Sequence, residues 1–144
     1  MKTAHNATSA PWENRDLYQH LDSADAYRKF IDFLLDAIVF IEDDCPPVAQ
    51  RALATARDYW NNSATEAQLT QARVECIRYL QAKDEMRNPQ KKEFQRVRAV
   101  LFLLYAEPRS DDIAELAQWF VMFMKNCGSS VSQLGKMFEV AFSN

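Results

Sequence analysis

The strongest helical pattern in the chain lies in residues 23–41, which read SADAYRKFIDFLLDAIVFI. Apolar side chains recur there at spacings of three and four, the period of an α-helix with one buried face. Phe33, Val39 and Phe40 widen this apolar stripe, so we predict a central helix that is largely buried. We expect Ser23 to cap its N-terminus and Pro46-Pro47 to end it. The stripe consists of Tyr27, Phe30, Ile31, Leu34, Leu35, Ile38 and Ile41.

Start and stop signals divide the rest of the chain into further helices. The predicted starts are Pro47, the capping-box pair Ser63 and Glu66, Asn88-Pro89, Ser110-Asp111-Asp112, and Ser129 or Ser130. The predicted stops are Asn61-Asn62, Glu107-Pro108 and Gly128. The signals indicate about six helices joined by short turns, and short turns make neighbouring helices antiparallel. We therefore predict an all-α fold, a single antiparallel helical bundle.

The composition supports an all-α fold. Hydrophobic residues make up 48% of the 144 residues and charged residues 26%, as in ordinary globular proteins. Only two residues are glycine, whereas tight hairpin turns and phosphate-binding loops both need glycine. We predict a flexible leader over residues 1–12 and a single all-α domain over residues 13–144. A short helix capped by Asn14 is expected within residues 13–21.

Charge and cysteine content restrict the class of partner. The formal net charge is −3, and the sequence pI is about 5.4, whereas a nucleic-acid-binding domain usually has a pI above ~9. No apolar run approaches the ~20 residues of a membrane span. The three cysteines lack zinc-ligand spacing. We expect a cytoplasmic protein with free thiols that binds neither nucleic acid nor membrane.

Candidate catalytic residues are few. Arg15, Asp16 and His20 have the R-D-x-x-x-H spacing and resemble the motif of HEPN ribonucleases. In that family the histidine is the general acid–base, so the resemblance implies RNA cleavage. Both histidines precede residue 21, and no Ser/His/Asp, Cys/His or Glu-x-x-His arrangement is recognisable. Apart from the ribonuclease alternative, we expect no enzymatic activity, no cofactor and no metal.

Two groups of residues are candidates for binding a protein partner. Acidic residues cluster in the first third of the chain and could occupy a basic cleft by charge complementarity. Aromatic residues beside charge form the second group, since Trp, Tyr and Arg are the usual hot-spot residues of interfaces. The acidic candidates are Asp36, Glu42, Asp43 and Asp44, and the aromatic group is Arg57, Tyr59, Trp60 and Trp119.

Residues 48–60, VAQRALATARDYW, together with Leu69–Arg73, resemble predicted all-α immunity proteins of bacterial polymorphic toxin and contact-dependent secretion systems. The shared pattern is an alanine-rich helix ending in Ala-Arg-x-aromatic-aromatic, a short turn, and a second helix containing Ala-Arg. The resemblance implies a protein that binds a cognate toxin and neutralises it by non-covalent occlusion. The alternative is a helical adaptor that self-associates, as a homodimer for example, through residues 110–142.

Overall fold

The structure is a computed structural model that describes residues 10–143. Within that range the chain forms six α-helices and several short 3₁₀ turns, and no strand. The predicted all-α bundle is confirmed. The helices are α1 Ser23–Ala37, α2 Pro47–Trp60, α3 Glu66–Ala82, α4 Lys92–Leu101, α5 Ile113–Asn126 and α6 Val131–Phe142. The 3₁₀ turns are Pro11–Glu13, Arg15–Leu17, Ile38–Phe40, Glu42–Asp44 and Glu85–Arg87.

The helices pack as two consecutive hairpins and one long-range pair. α2 packs on α3 and α4 on α5, while α1 pairs with α6, the last helix of the chain. Phe33 of α1 is fully buried, and its ring meets those of Phe120 and Phe138 nearly edge-on, at 5.7 and 5.4 Å between centroids. α1 therefore joins α5 and α6 in one core, which is the central position that its apolar stripe predicts.

Several predicted helix boundaries are wrong by a few residues. Asp22 caps α1 instead of Ser23, because its carboxylate accepts the backbone N–H of Asp25 at 2.8 Å. The capping box of α3 is Thr65 with Gln68, two residues beyond the predicted pair. In both cases neighbouring residues carry equivalent capping groups, so the sequence alone does not determine which residue caps the helix.

Other boundaries differ because the chain leaves the helix early. α1 ends at Ala37, and residues 38–44 continue as two 3₁₀ turns. α4 begins at Lys92 and ends at Leu101, so it is shorter at both ends than predicted. The predicted short helix within residues 13–21 is a 3₁₀ turn, in which Asn14 does supply the cap. The starts at Pro47, Asp112 and Ser130 are confirmed, as are the stops at Asn61 and Gly128.

The segment after α4 is buried without being helical. Leu103 and Leu104 are fully buried and Tyr105 is partly buried, so the carbonyl groups of these residues need hydrogen-bond donors from elsewhere in the protein. Side chains from three helices supply donors to consecutive carbonyls of this segment. Trp60 Nε1 donates to the Leu103 carbonyl at 3.0 Å, Arg73 to Leu104 at 3.0 Å, and the Tyr27 hydroxyl to Tyr105 at 2.7 Å. We call residues 103–105 the acceptor segment.

The start of the described chain packs against the bundle. Trp12 is 5% exposed and lies edge-on to Phe138, with 6.0 Å between ring centroids. The Tyr18 hydroxyl donates to the Trp12 carbonyl at 2.9 Å. Pro11 lies over Gly135, where an added Cβ would come within 3.1 Å of Pro11 Cγ. Residues 10–12 thus belong to the folded domain, which corrects the predicted leader boundary; residues 1–9 of that leader lie outside the described range.

Trp12→Ala tests whether this contact is part of the core. We expect the free energy of unfolding to fall by about 3–5 kcal/mol, because the substitution leaves a cavity against Phe138. Trp119→Ala is the matched control, since Trp119 is 52% exposed, and it should cost about 1 kcal/mol or less. Urea denaturation measures both changes. Equal, small losses for the two variants would show that Trp12 is not a core residue.

Candidate functional site

A short surface segment after α1 exposes two large apolar side chains. Val39 is 56% exposed and Phe40 47%, while Ile38 and Ile41 on either side are buried. The 3₁₀ turn explains this pattern, since three residues per turn place Ile38 and Ile41 on the same inner side and direct the two residues between them outward. The prediction that Val39 and Phe40 widen the buried stripe is therefore wrong.

Carboxylates flank these apolar side chains. Asp36, Asp43 and Asp44 are all exposed. Asp36 shares a shallow pocket with Lys136 of α6, and none of the three carboxylates forms an ion pair within the described residues. We call Asp36, Val39, Phe40, Asp43 and Asp44 the exposed segment. It presents negative charge that has no ion-pair partner in the described part of the chain, around a small apolar centre.

Glu42 and Arg57, both predicted to bind a partner, pair with each other. Arg57 donates two hydrogen bonds to the Glu42 carboxylate, at 2.7 and 2.8 Å. The bidentate guanidinium lowers the pKa of Glu42 below its usual range, and the Arg57 pKa is raised in turn. This pair ties the turn Glu42–Asp44 to α2.

Gln50 of α2 fixes the same turn from the other side. Its side-chain amide lies within hydrogen-bonding distance of the carbonyls of Glu42, Asp43 and Cys45, at 3.3, 3.4 and 3.1 Å. The backbone that carries Asp43 and Asp44 is therefore held by contacts from α2.

The structure uses Trp60 for packing. Its indole N–H donates to the acceptor segment, its ring lies edge-on to Tyr59 with 4.9 Å between centroids, and the Arg28 guanidinium lies 5.6 Å from its ring centroid. Both Tyr59 and Trp60 are half-buried against the core. Only the edges of these two rings that remain exposed could contact a partner.

Trp119 lies in a different place. It lines an open cleft of about 340 Å³ between the end of α4, the following loop and α5, and the lining contains none of the other predicted binding residues. Arg109, which the sequence analysis did not select, lines the same cleft. Its guanidinium lies 4.4 Å from the ring centroid of Tyr105 and 4.9 Å from that of Phe102. No spacing in the sequence signals this stacking, because it depends on how the loop folds.

The residues of the ribonuclease-like motif are exposed, and one of them is used in an ion pair. Arg15 pairs with Asp112 at 3.0 Å, which raises the Arg15 pKa, and His20 is exposed.

Burial raises the pKa of Cys45 to about 11 and that of Cys76 to about 12, so both remain protonated thiols near neutral pH. Residues 10–143 contain no cluster of three or more His, Cys, Asp or Glu side chains that could hold a metal ion. None of the helices in that range has the length and apolar character needed to cross a membrane.

Comparison of the chain with protein-family models, with curated proteins and with solved structures found no match.

Glu42→Gln tests the ion pair through the pH dependence of stability. Arg57 lowers the folded-state pKa of Glu42, so ionised Glu42 stabilises the fold above its unfolded pKa of about 4.3. That stabilisation is lost as the pH falls through the lowered folded pKa. We expect the wild type to be more stable than Glu42→Gln near neutral pH, by about 0.2–1 kcal/mol for a pair this exposed, and the difference to vanish in acid.

Thermal melts of both proteins between neutral and acidic pH give the measurement. Asp43→Asn is the control, because it removes a nearby carboxylate that forms no ion pair within residues 10–143, and it should not reproduce the loss of stability that Glu42→Gln shows near neutral pH. If wild type and Glu42→Gln differ in stability by the same amount at every pH, the pairing of Glu42 with Arg57 is contradicted.

Proposed function

We propose that this chain is a non-catalytic immunity protein that covers a basic surface of a cognate toxin with the exposed segment. One observation carries the proposal: Val39 and Phe40 are half-exposed between carboxylates that have no ion-pair partner in residues 10–143. Single exposed apolar residues are common on protein surfaces. An adjacent pair within a charged rim has the arrangement of an interface centre.

The apolar centre would supply affinity. Phe40 is an aromatic side chain with about half of its surface still in water, so a partner pocket that buries it gains hydrophobic free energy. If Phe40 is a hot spot of the interface, truncating it would cost about 2 kcal/mol or more. The neighbouring Val39 would extend the same contact.

The carboxylates would supply selectivity and speed. Asp36, Asp43 and Asp44 repel acidic proteins and attract basic ones, and this effect acts mainly on the association rate. A toxin that cleaves nucleic acid needs a basic cleft to hold its phosphate backbone, so it offers a complementary surface. The resemblance of residues 48–60 and 69–73 to immunity proteins supports the same type of partner, and these residues form the α2–α3 hairpin behind the segment.

Self-association through residues 110–142 is the second candidate. Trp119 and Met122 of α5 are 52% and 37% exposed and lie one turn apart. If this surface forms a homodimer, sedimentation equilibrium will give a mass that depends on concentration, and Trp119→Ala will abolish that dependence. A monomer at all concentrations would contradict this alternative and leave the immunity proposal unaffected.

The immunity proposal can be tested by isolating and then neutralising the partner. Tagged protein is purified from its native host at low ionic strength, and any stoichiometric partner is expressed alone in a test bacterium. We expect that partner to arrest growth and co-expression of the wild-type chain to restore it. Phe40→Ser with Asp43→Lys should fail to restore growth, whereas Met86→Ser, which alters an apolar side chain that is 83% exposed elsewhere, should restore it.

Binding kinetics measure separately the contribution of the apolar Phe40 contact and that of the carboxylates. Phe40→Ala should raise the dissociation rate constant about 30-fold, the equivalent of about 2 kcal/mol. Asp43→Lys should mainly lower the association rate constant, with less effect at high salt, where exposed charges are screened. A partner that is not toxic, or neutralisation that survives both substitutions in the segment, would refute the proposal.

A further inference from the structure

We infer that the cleft beside Trp119 binds a free α-amino acid with an aromatic side chain. The cleft has a volume of about 340 Å³, near the lower end of the ~300–1,000 Å³ typical of small-molecule sites. Apolar side chains form much of its wall, namely Phe102, Leu116, Trp119 and Phe123. Its size and lining therefore suit a small ligand with one ring.

Two opposite charges line the cleft without meeting each other. The Arg109 guanidinium is held by stacking on Tyr105 and Phe102 and forms no ion pair within residues 10–143. Glu115 accepts the Ser110 hydroxyl at 2.8 Å and has no cationic partner in the same range. A ligand that carries both a carboxylate and an ammonium group would complement the charges of both residues.

The third charge in the lining is already neutralised. Arg98 donates to both oxygens of the buried Glu85 carboxylate, at 2.5 and 2.6 Å. Among residues 10–143, the cleft therefore contributes one cation and one anion without an ion-pair partner, which favours a zwitterion over a simple anion or cation. A simple anion would leave Glu115 unmatched, and a simple cation would leave Arg109 unmatched.

Trp119 provides the surface for the aromatic ring. About half of its side chain is exposed, and its ring lies at 32° to that of Phe123, with 6.5 Å between centroids. An added ring lying against the indole would form an offset or edge contact, the geometry that aromatic pairs prefer. The amino acid's backbone charges would then face Arg109 and Glu115 while its side chain covers Trp119.

Three matched probes test the inference: L-phenylalanine, 3-phenylpropionate, which lacks the ammonium group, and phenethylamine, which lacks the carboxylate. Binding is followed by the shift of the Trp119 indole N–H signal in ¹⁵N spectra and by calorimetry. We expect phenylalanine to bind at least ~10-fold more tightly than either analogue, since each analogue lacks one of the two charge-assisted hydrogen bonds.

Substitutions should remove each preference separately. In Arg109→Gln, phenylalanine and phenethylamine should bind equally, and in Glu115→Gln, phenylalanine and 3-phenylpropionate should do so. Each comparison is a ratio of the affinities of two probes for the same variant. A loss of stability lowers both affinities equally and leaves their ratio unchanged. Arg87→Gln is the control, because Arg87 is an exposed arginine outside the cleft, and it should leave the preference intact.

Three outcomes would overturn the inference. They are no shift of the Trp119 signal with phenylalanine up to its solubility limit, equal affinity for all three probes in the wild type, and an unchanged preference in Arg109→Gln and Glu115→Gln. None of these measurements involves the exposed segment, so they leave the proposed toxin binding untouched.

Discussion

Hydrogen bonding of the carbonyls in the acceptor segment, of which Leu103 and Leu104 are buried and Tyr105 is partly buried, is the constraint on which the arrangement of the helices depends. The chain leaves α4 at Leu101 yet stays inside the core, and a buried carbonyl without a donor would cost about 1–3 kcal/mol. Tyr27, Trp60 and Arg73 supply the donors from α1, α2 and α3. One irregular stretch thereby fixes three helices relative to the α4–α5 hairpin.

The same constraint separates structural aromatic residues from available ones. Trp60 cannot move toward a partner without leaving the Leu103 carbonyl unpaired, whereas Phe40 and Trp119 have no such commitment and are about half exposed. Aromatic content near charge is therefore a poor guide to a binding surface by itself. The hydrogen-bonding role of each ring decides whether it can take part in recognition.

The spacing of apolar residues and the positions of helix-ending residues predict the six helices. This works because burial of one face dominates the energetics of a helix, and proline or glycine ends it. They fail at residues 38–44, where the apolar pattern continues but the backbone tightens into 3₁₀ turns and exposes Phe40. They also miss the pairing of Glu42 with Arg57, which are 15 residues apart and meet only when the turn packs on α2. They also place Trp12 outside the folded domain, because the aromatic ring that it packs against, Phe138 on α6, lies more than 120 residues away in the chain.

Gln50 has a consequence for the thermodynamics of recognition. Its amide and the Glu42–Arg57 pair already hold the turn that carries Asp43 and Asp44. In the proposed complex, the toxin would therefore meet a preorganised backbone, and binding would not have to offset the loss of conformational entropy that ordering a mobile loop requires. Free and bound forms of this surface should superimpose closely, as in rigid-body association. Under the proposed function, a chain lacking the Gln50 amide would keep every residue of the exposed segment and still bind the toxin less tightly, because the unbound state would gain disorder.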